Sequence, residues 1–480
     1  MPIATAILDR LKSAVGARGF SEDAADIAPH LTEWRGRYRG MTPLLLRPQN
    51  TAEISAVLSI CNATRTPIVP QGGNTGLVGG QIPQAGEILL SLERMNRIRH
   101  IDAEDMSAIV EAGTILAELQ NAAEQAGVYF PLSLAAQGSA TVGGNISTNA
   151  GGVNVLRYGS ARQLVLGLEV VLADGRVLDL LRTLHKDNTG YDLKQLFMGA
   201  EGTLGVITAA ALRLFPRPEL RETAFIAVRD PAAAIALLRR LETSSGGLVS
   251  AFELMPRIGL DLVLAHIPGA SDPLNVSSPW YVLAEVTSGA ALPLRKIVED
   301  TLASAIEDGL VADATLAANE TRRAALWRLR ESLSEAQKLE GASIKHDVSV
   351  PVHSIPEFLA RGCAAVQALI PGIRPVPFGH LGDGNIHFNF SAPKNADGAK
   401  FLARWDEVAR IVHDLTNSFG GSIGAEHGIG LMKRDEIIRY KSPVEIDLMQ
   451  TLKRTLDPNN ILNPGKVVRV QEAVSHIRQV

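Results

Sequence analysis

Apolar and polar positions predict an alternation of helices and short strands through the first half of the chain. Ile54, Val57, Leu58 and Cys61 recur at helical spacing after Glu53, so the pattern predicts a helix capped at Thr51 and closed before Thr66-Pro67. A short strand over 67–70 then enters a glycine loop, PQGGNTGLVGG. Two further apolar runs, EILLSL and SAIVEAG, precede a helix over TILAELQNAAEQAG that Gly127 terminates. In LGLEVVLADGRVLDL, Asp174-Gly175 separates two alternating runs and predicts a hairpin. A strand in GTLGVITAAALRLFP closes this half.

Beyond Pro216 and Pro218 the order changes. FIAVR is a strand, Asp230-Pro231 caps and opens the helix AAAIALLRRLE, VSAFELM and WYVLAEV are strands, and a helix follows near 291–308. Strand, helix, strand, strand, helix predicts an α+β plait, with the main boundary near 217–222. A long helix over 319–340 leads into the extended SIKHDVSVPV, and a last helix ends before Leu456-Asp457-Pro458.

Composition narrows the class. The chain has 480 residues, enough for about three domains at roughly 150 residues each. With 46% hydrophobic and 20% charged residues it reads as a folded protein, which excludes a disordered scaffold, a collagen-like fibre and a coiled-coil rod. Forty-seven basic against 51 acidic residues give −4, with no basic block, so no nucleic-acid partner is expected. Two cysteines, Cys61 and Cys363, make neither a disulfide framework nor a thiolate cluster. The first residues are interrupted by Asp9, Arg10 and Lys12, and no apolar run of about 18 residues occurs, so the expectation is a cytoplasmic chain without a transmembrane segment.

The chemistry begins with glycine. Loop 71–80 carries Gly72, Gly73, Gly76, Gly79 and Gly80, whose backbone could approach a pyrophosphate. A second segment, PLSLAAQGSATVGGNISTNAGG at 131–152, adds hydroxyl and amide donors. Either alone reads as a surface turn; together they point to one long ligand. Neither GxGxxG after a strand nor GxxxxGK[ST] occurs, so a Rossmann site and a P-loop lack their fingerprints.

PQGGNTGLVGG, GSATVGGNISTNAGG, RYGSARQLVLGLEVVLADGRVL and GYDLKQLFMGAEGTLGVIT resemble, in that order, the FAD domain of vanillyl-alcohol-oxidase type flavoproteins. The resemblance implies FAD across two α+β subdomains. Gly72, Gly73, Asn74, Thr75, Gly76 and Leu77 would surround the pyrophosphate, and Ser139, Thr141, Gly144, Asn145, Thr148, Asn149, Glu201 and Ile207 would hold the rest. Members that attach FAD covalently carry a His where this chain has Asn74, so the cofactor is expected to be non-covalent.

In PFGHLGDGNIHFNF a glycine turn separates His380 from His387, and GAEHGIG later supplies Glu426 and His427. Two imidazoles and a carboxylate are a common ligand set for a divalent ion with open positions. Isolated, each is ordinary loop chemistry. These segments closely resemble the C-terminal half of FAD-linked D-2-hydroxyacid dehydrogenases, a family acting on D-lactate, glycolate or D-2-hydroxyglutarate. The resemblance implies that His380, His387 and Glu426 bind the ion, Zn²⁺ first with Mn²⁺ and Co²⁺ open. It further implies that His427 is the base, that Asn389 lies by the substrate, and that Asn463 in LDPNNILNPGK returns to the flavin. RESLS followed by SIKHDVSVP resembles the D-2-hydroxyglutarate branch, where Arg330, Ser334 and Lys345 would contact substrate. Ser334 stands where that branch carries Thr, which leaves D-malate open. Lys345 weighs against D-lactate or glycolate, because a monocarboxylate needs only one cation.

The expected architecture is therefore α+β: a helical segment at 1–39, a two-subdomain FAD-binding domain at 40–217, an α+β substrate (cap) and metal-binding domain at 218–430, and a helical C-terminal segment at 431–480 returning to FAD. The expected partners are a small 2-hydroxy acid and an electron acceptor such as an electron-transfer flavoprotein, quinone or cytochrome, with a homodimer left open. The competing readings are an oxidase passing electrons to O₂ and a non-catalytic flavin-binding subunit; the latter predicts loss of His427 or of the metal ligands, and all are present.

Overall fold

Leu45–Leu46 and Ile68–Gln71 both run parallel to Ile88–Ser91, and Phe20–Ser21 pairs antiparallel at the edge of this four-stranded sheet. The computed structural model describes residues 3–289 and 291–470. Helix Thr51–Thr64 crosses between two of these strands and buries Ile54, Val57, Leu58 and Cys61, the face its periodicity picks out. Its cap is Asn50, not Thr51. Asn50 is extended and its side chain accepts from the Glu53 N–H at 2.9 Å, while the Thr51 hydroxyl donates to Glu169 at 2.7 Å and ties the helix to the neighbouring sheet.

That neighbour is a five-stranded antiparallel sheet in the order Ile98–Asp102, Ser107–Glu111, Val206–Arg213, Val165–Val171, Val177–Asp179. The Asp174-Gly175 hairpin is present, with Gly175 at φ +88° where a side chain would be strained. Helix Leu116–Gln125 stops before Gly127 as its sequence predicts. One core joins both sheets. It draws in Leu11 and Val15 from helix Thr5–Val15, and Ile461 and Leu462 from the far end of the chain.

The second lobe is an eight-stranded sheet. Its main path runs Val311–Leu316, Leu220–Val228, Trp280–Ser288, Val249–Pro256, Arg374–His380, Asn385–Ser391, Ser343–Ile344, with Asp347–Ser349 also paired to Asn385–Ser391. Helices Pro231–Ser245, Leu294–Glu307 and Ile355–Leu369 bury their apolar sides against one face. Residues of Arg257–His266 and Glu320–Glu331, including Leu260, Val263, Leu326 and Trp327, fill the other. The order is that of the expected plait except that helix Arg257–His266 stands between the two strands expected to follow one another, and the sheet is extended by the histidine-bearing hairpin. The single helix expected over 319–340 is instead two, Glu320–Glu331 and Leu333–Glu340, interrupted at Ser332. The pieces bury different residues: Arg330 of the first turns in to Glu253, and Gln337 of the second donates to Ser391.

Helix Pro443–Leu456 starts on a capping box made by Ser442 and Glu445. Past its end the chain folds back, and Leu462 bridges to Ile68 in the first lobe. The return is pinned by Lys453, 3% exposed, whose ammonium pairs with Asp457 at 2.5 Å and donates to the Thr203 and Leu462 carbonyls. Asp457 in turn accepts from the Ile461 and Leu462 N–H groups. Lys453→Met leaves Asp457 buried without its cation, a change that typically costs about 3–5 kcal/mol. A large fall in the thermal or urea midpoint is expected, and an unchanged midpoint would show that the return is held by other contacts.

Candidate active site

The loop that leaves Ile68–Gln71 meets the second glycine segment so closely that only hydrogen fits between them. A Cβ on Gly73 would lie 1.8 Å from the Ser139 carbonyl oxygen, and one on Gly72 would lie 2.3 Å from the Thr141 hydroxyl. Thr141 caps the short helix Val142–Ser147 by accepting from the Gly144 N–H. Between the two segments runs an open cleft. Of the residues expected to hold FAD, Gly72 through Leu77, Thr141, Gly144, Asn145, Thr148, Glu201 and Ile207 line it. Among the described residues the buried Asn145 amide nitrogen has no hydrogen-bond partner there, so it can donate to a polar ligand. The glycine cradle and this unsatisfied donor fit a dinucleotide.

Three expected contacts stand behind the wall. Ser139 lends the carbonyl that crowds Gly73, and the Asn149 side chain accepts from Ser160 and from the Arg162 N–H. Asn463 donates to the carbonyls of Gly80 and Glu201, at 2.9 and 2.8 Å. The Asn74 amide is also spent on structure: it donates to the Pro29 and Thr32 carbonyls and accepts from Gln81. Leu134, Ala135, Ala136 and Ser147 line the cleft as well. They sit within the second glycine segment, but nothing in their chemistry singles them out.

The same cleft is lined at one end by Glu426 and His427, which belong to the other lobe's chemistry. Glu201 anchors them, for its buried carboxylate accepts from the Ile429 and Gly430 N–H groups at 2.7 and 2.9 Å. Burial lifts that carboxyl to about 7 against the pull of the two hydrogen bonds.

His380 and His387 come together through strand register. His380 ends one strand opposite Asn385 of its partner, and His387 lies two residues further along, so both rings stand on one sheet face with centroids 5.6 Å apart. Ligand atoms of His387, Glu426, His427 and Asp347 all lie within 4.8 Å of one another, and His380 Nε2 is 3.9 Å from Glu426. The His387 and His427 rings stack at 5.9 Å. Burial raises Glu426 to about 7, and burial lowers His427 to about 4, so this imidazole is neutral near pH 7.

Asp347 is the member that sequence reasoning missed. Its Oδ2 accepts from the N–H groups of both Glu426 and His427 at 2.9 Å, and its Oδ1 accepts from Asn385 at 2.9 Å. His427 Nδ1 is 3.5 Å away. Burial pushes this carboxyl up, but His427, Lys433, His387 and the backbone donors hold it well below the usual range. Glu253 was missed too. Fully buried, it takes His380 Nδ1 at 2.7 Å and both Nε and Nη2 of Arg330 at 2.7 Å. Burial opposes its charge, yet these partners hold it at about 2, and it raises His380 to about 9 despite burial. An acid inside an apolar strand, as in VSAFELM and HDVSV, is the signal that could have found both.

Of the expected substrate residues, none of Arg330, Ser334, Lys345 and Asn389 is among those that line the cleft; all belong to the second lobe. Arg330 is committed to Glu253 and lies over the Phe378 ring. Asn389 donates to Gln337 and accepts from the His346 N–H. Among the described residues Lys345 donates only to the Ser334 carbonyl, at 3.4 Å, and burial together with Arg35 and Lys338 lowers its ammonium to about 8.

Comparison with known proteins agrees with both halves of this arrangement. Residues 42–181 match the family described as "FAD binding domain", and residues 217–467 match "FAD linked oxidases, C-terminal domain". An Arabidopsis thaliana protein named "D-2-hydroxyglutarate dehydrogenase, mitochondrial" is 41% identical over 95% of this chain and 80% of its own length. A Xanthomonas citri pv. viticola protein named "D-2-hydroxyglutarate dehydrogenase" is 37% identical over 97% of this chain and 98% of its own. Among solved structures, p-cresol methylhydroxylase with substrate bound superposes with a TM-score of 0.76 at 17% identity, covering 97% of each chain. An alkyldihydroxyacetonephosphate synthase superposes with a TM-score of 0.74 at 17% identity, over 96% of this chain and 85% of that one. The fold is thus the vanillyl-alcohol-oxidase type, and the chain belongs to the FAD-linked oxidases, in the family that holds these D-2-hydroxyglutarate dehydrogenases.

Proposed function

We propose that the protein oxidises a D-2-hydroxy acid, D-2-hydroxyglutarate foremost, to the 2-oxo acid and passes the electrons to an external acceptor. One observation carries the reading: Glu426 and His427 line the FAD cleft and also belong to the His-carboxylate cluster, so a proton acceptor, a candidate ion site and the flavin face share one space. Bound FAD supplies a hydride acceptor at its N5.

The donor set suits a divalent cation. The His380 Nδ1 bond to Glu253 turns Nε2 toward Glu426, the carboxylate–histidine arrangement that orients metal ligands. His387 Nε2 faces the same carboxylate at 3.6 Å. His380, His387 and Glu426 would therefore hold the ion, Zn²⁺ first, and Asp347, with its oxygens already taken by hydrogen bonds, orients the site. When bound, such an ion lowers the pKa of a coordinated hydroxyl. His427, neutral and fixed beside Asp347, accepts the hydroxyl proton, and the charge of Asp347 steadies the imidazolium that results. Lys345 offers a cation to substrate carboxylate.

His427→Ala should keep FAD bound but slow anaerobic flavin reduction by D-2-hydroxyglutarate by roughly 10²–10⁴-fold; reduction at the wild-type rate would remove its role as base. Ion binding should depend on pH with a definite sign. Glu426, at about 7, and His380, at about 9, must lose protons to become ligands, so affinity rises as pH rises from 6 to 9. Zn²⁺ retained after dialysis should be greater at pH 8.5 than at pH 6, and equal retention would contradict this ligand set. Lys345→Met should raise KM for D-2-hydroxyglutarate far more than for D-lactate, and equal effects would remove Lys345 from distal carboxylate binding.

A further inference from the structure

A tight loop from the N-terminal segment touches both lobes and has no role in the chemistry proposed so far. Thr32 and Arg39 bridge its base, and inside it the 2%-exposed Glu33 carboxylate accepts from the N–H groups of Arg35 and Arg37 at 2.7 and 2.6 Å. On one side the FAD loop holds it: Asn74 donates to the Thr32 carbonyl, and Tyr38 packs against Gly79. On the other it lies on the substrate lobe, with Lys338 over the Trp34 ring at 4.7 Å and Arg37 over Trp405 at 4.4 Å. The loop therefore bridges the two lobes and is held by both.

Arg35 is the residue this clamp presents. Its Nε is buried with no hydrogen-bond partner, and among the described residues its guanidinium forms no ion pair. Glu33 and Asp347 act on it only at longer range, and burial lowers its pKa. Its charge is felt inside the site, where it lowers Lys345, His427 and Lys433. Arg330 differs in kind, because Glu253 already neutralises it. Lys345 shares the condition of Arg35, since among the described residues it has no carboxylate partner either. The loop's Trp34 lies under Lys338 and its Arg37 over Trp405, whose ring is 6.2 Å from that of His346, so Arg35 and Lys345 share one neighbourhood, and two part-buried cations without an ion-pair partner there are unfavourable unless an anion joins them.

Resting on the oxidation of a 2-hydroxy dicarboxylate proposed above, we infer that Arg35, carried by the loop at 32–39, binds the carboxylate of the substrate that lies farther from the reacting carbon, together with Lys345. The guanidinium fork suits two-point recognition of a carboxylate, and Lys345 adds a point charge. The substrate's end would then close the gap between the lobes, and the N-terminal loop would read its length.

The test uses the FAD-bound full chain and has an arm that needs no turnover. Calorimetric titration with glutarate, an unreactive dicarboxylate, and with butyrate should show that the wild type prefers glutarate. Arg35→Met should weaken glutarate about tenfold or more and butyrate by less than about twofold, and Arg35→Lys should keep part of the preference. In turnover, Arg35→Met should raise KM for D-2-hydroxyglutarate about tenfold with kcat little changed, and leave D-lactate within about twofold. Wild-type protein indifferent between glutarate and butyrate, or Arg35→Met weakening both equally or neither, overturns the inference. If Arg35→Met loses FAD, Arg35→Gln is read by the same criteria. Should glutarate behave as expected while D-2-hydroxyglutarate fails to reduce the wild-type flavin, the carboxylate site stands and the oxidation reading falls.

Discussion

The arrangement hangs on the Asp347 carboxylate. Buried on a three-residue strand, it takes the N–H groups of Glu426 and His427 on one oxygen and the Asn385 amide on the other. Those bonds fix a segment that has no regular structure of its own, and they fix it against the hairpin that carries His380 and His387. A buried carboxylate is tolerated here because donors and cations surround it, and the same surroundings keep it ionised. The negative charge then sits where a protonated His427 would need it.

A second constraint joins this centre to the flavin. Glu201 adopts φ +51° and turns its carboxylate to the Ile429 and Gly430 N–H groups, and Asn463 secures the carbonyls of Glu201 and Gly80 together. The chain's last described stretch therefore closes over the first glycine loop, and Lys453 with Asp457 locks the return. Three segments far apart in sequence meet at one seam, which holds Glu426 and His427 at the cleft.

Much of this was legible in the sequence, and the exceptions share a physical cause. The glycine loops, the Asp174-Gly175 hairpin and the His380/His387 pair are local patterns whose residue types permit few alternatives. Strand register completed the histidine pair, since a seven-residue spacing by itself does not say that both rings share a face. Asn50 and Thr51 are both good caps, but Asn50 stands three residues before Glu53, whose N–H it accepts, and the Thr51 hydroxyl turns to Glu169 instead. The break at Ser332 carries no proline or glycine, and the periodicity runs on through it because the two pieces bury different partners. Asp347 and Glu253 are single acids in strands, with no spacing to mark them. Their partners lie dozens of residues away, 127 in the case of Glu253 and His380. For the same reason the sequence could not show that the Arg330 guanidinium pairs with a buried carboxylate while that of Arg35, among the described residues, forms no ion pair.

On this reading the histidine–carboxylate centre works on a substrate held against the flavin. Anaerobic flavin bleaching by D- and L-2-hydroxyglutarate, before chelation, after it, and after Zn²⁺ is restored, tests that claim most directly. The account predicts fast bleaching by the D form alone, lost on chelation and regained with Zn²⁺. Bleaching by both enantiomers, or bleaching indifferent to the chelator, would contradict it.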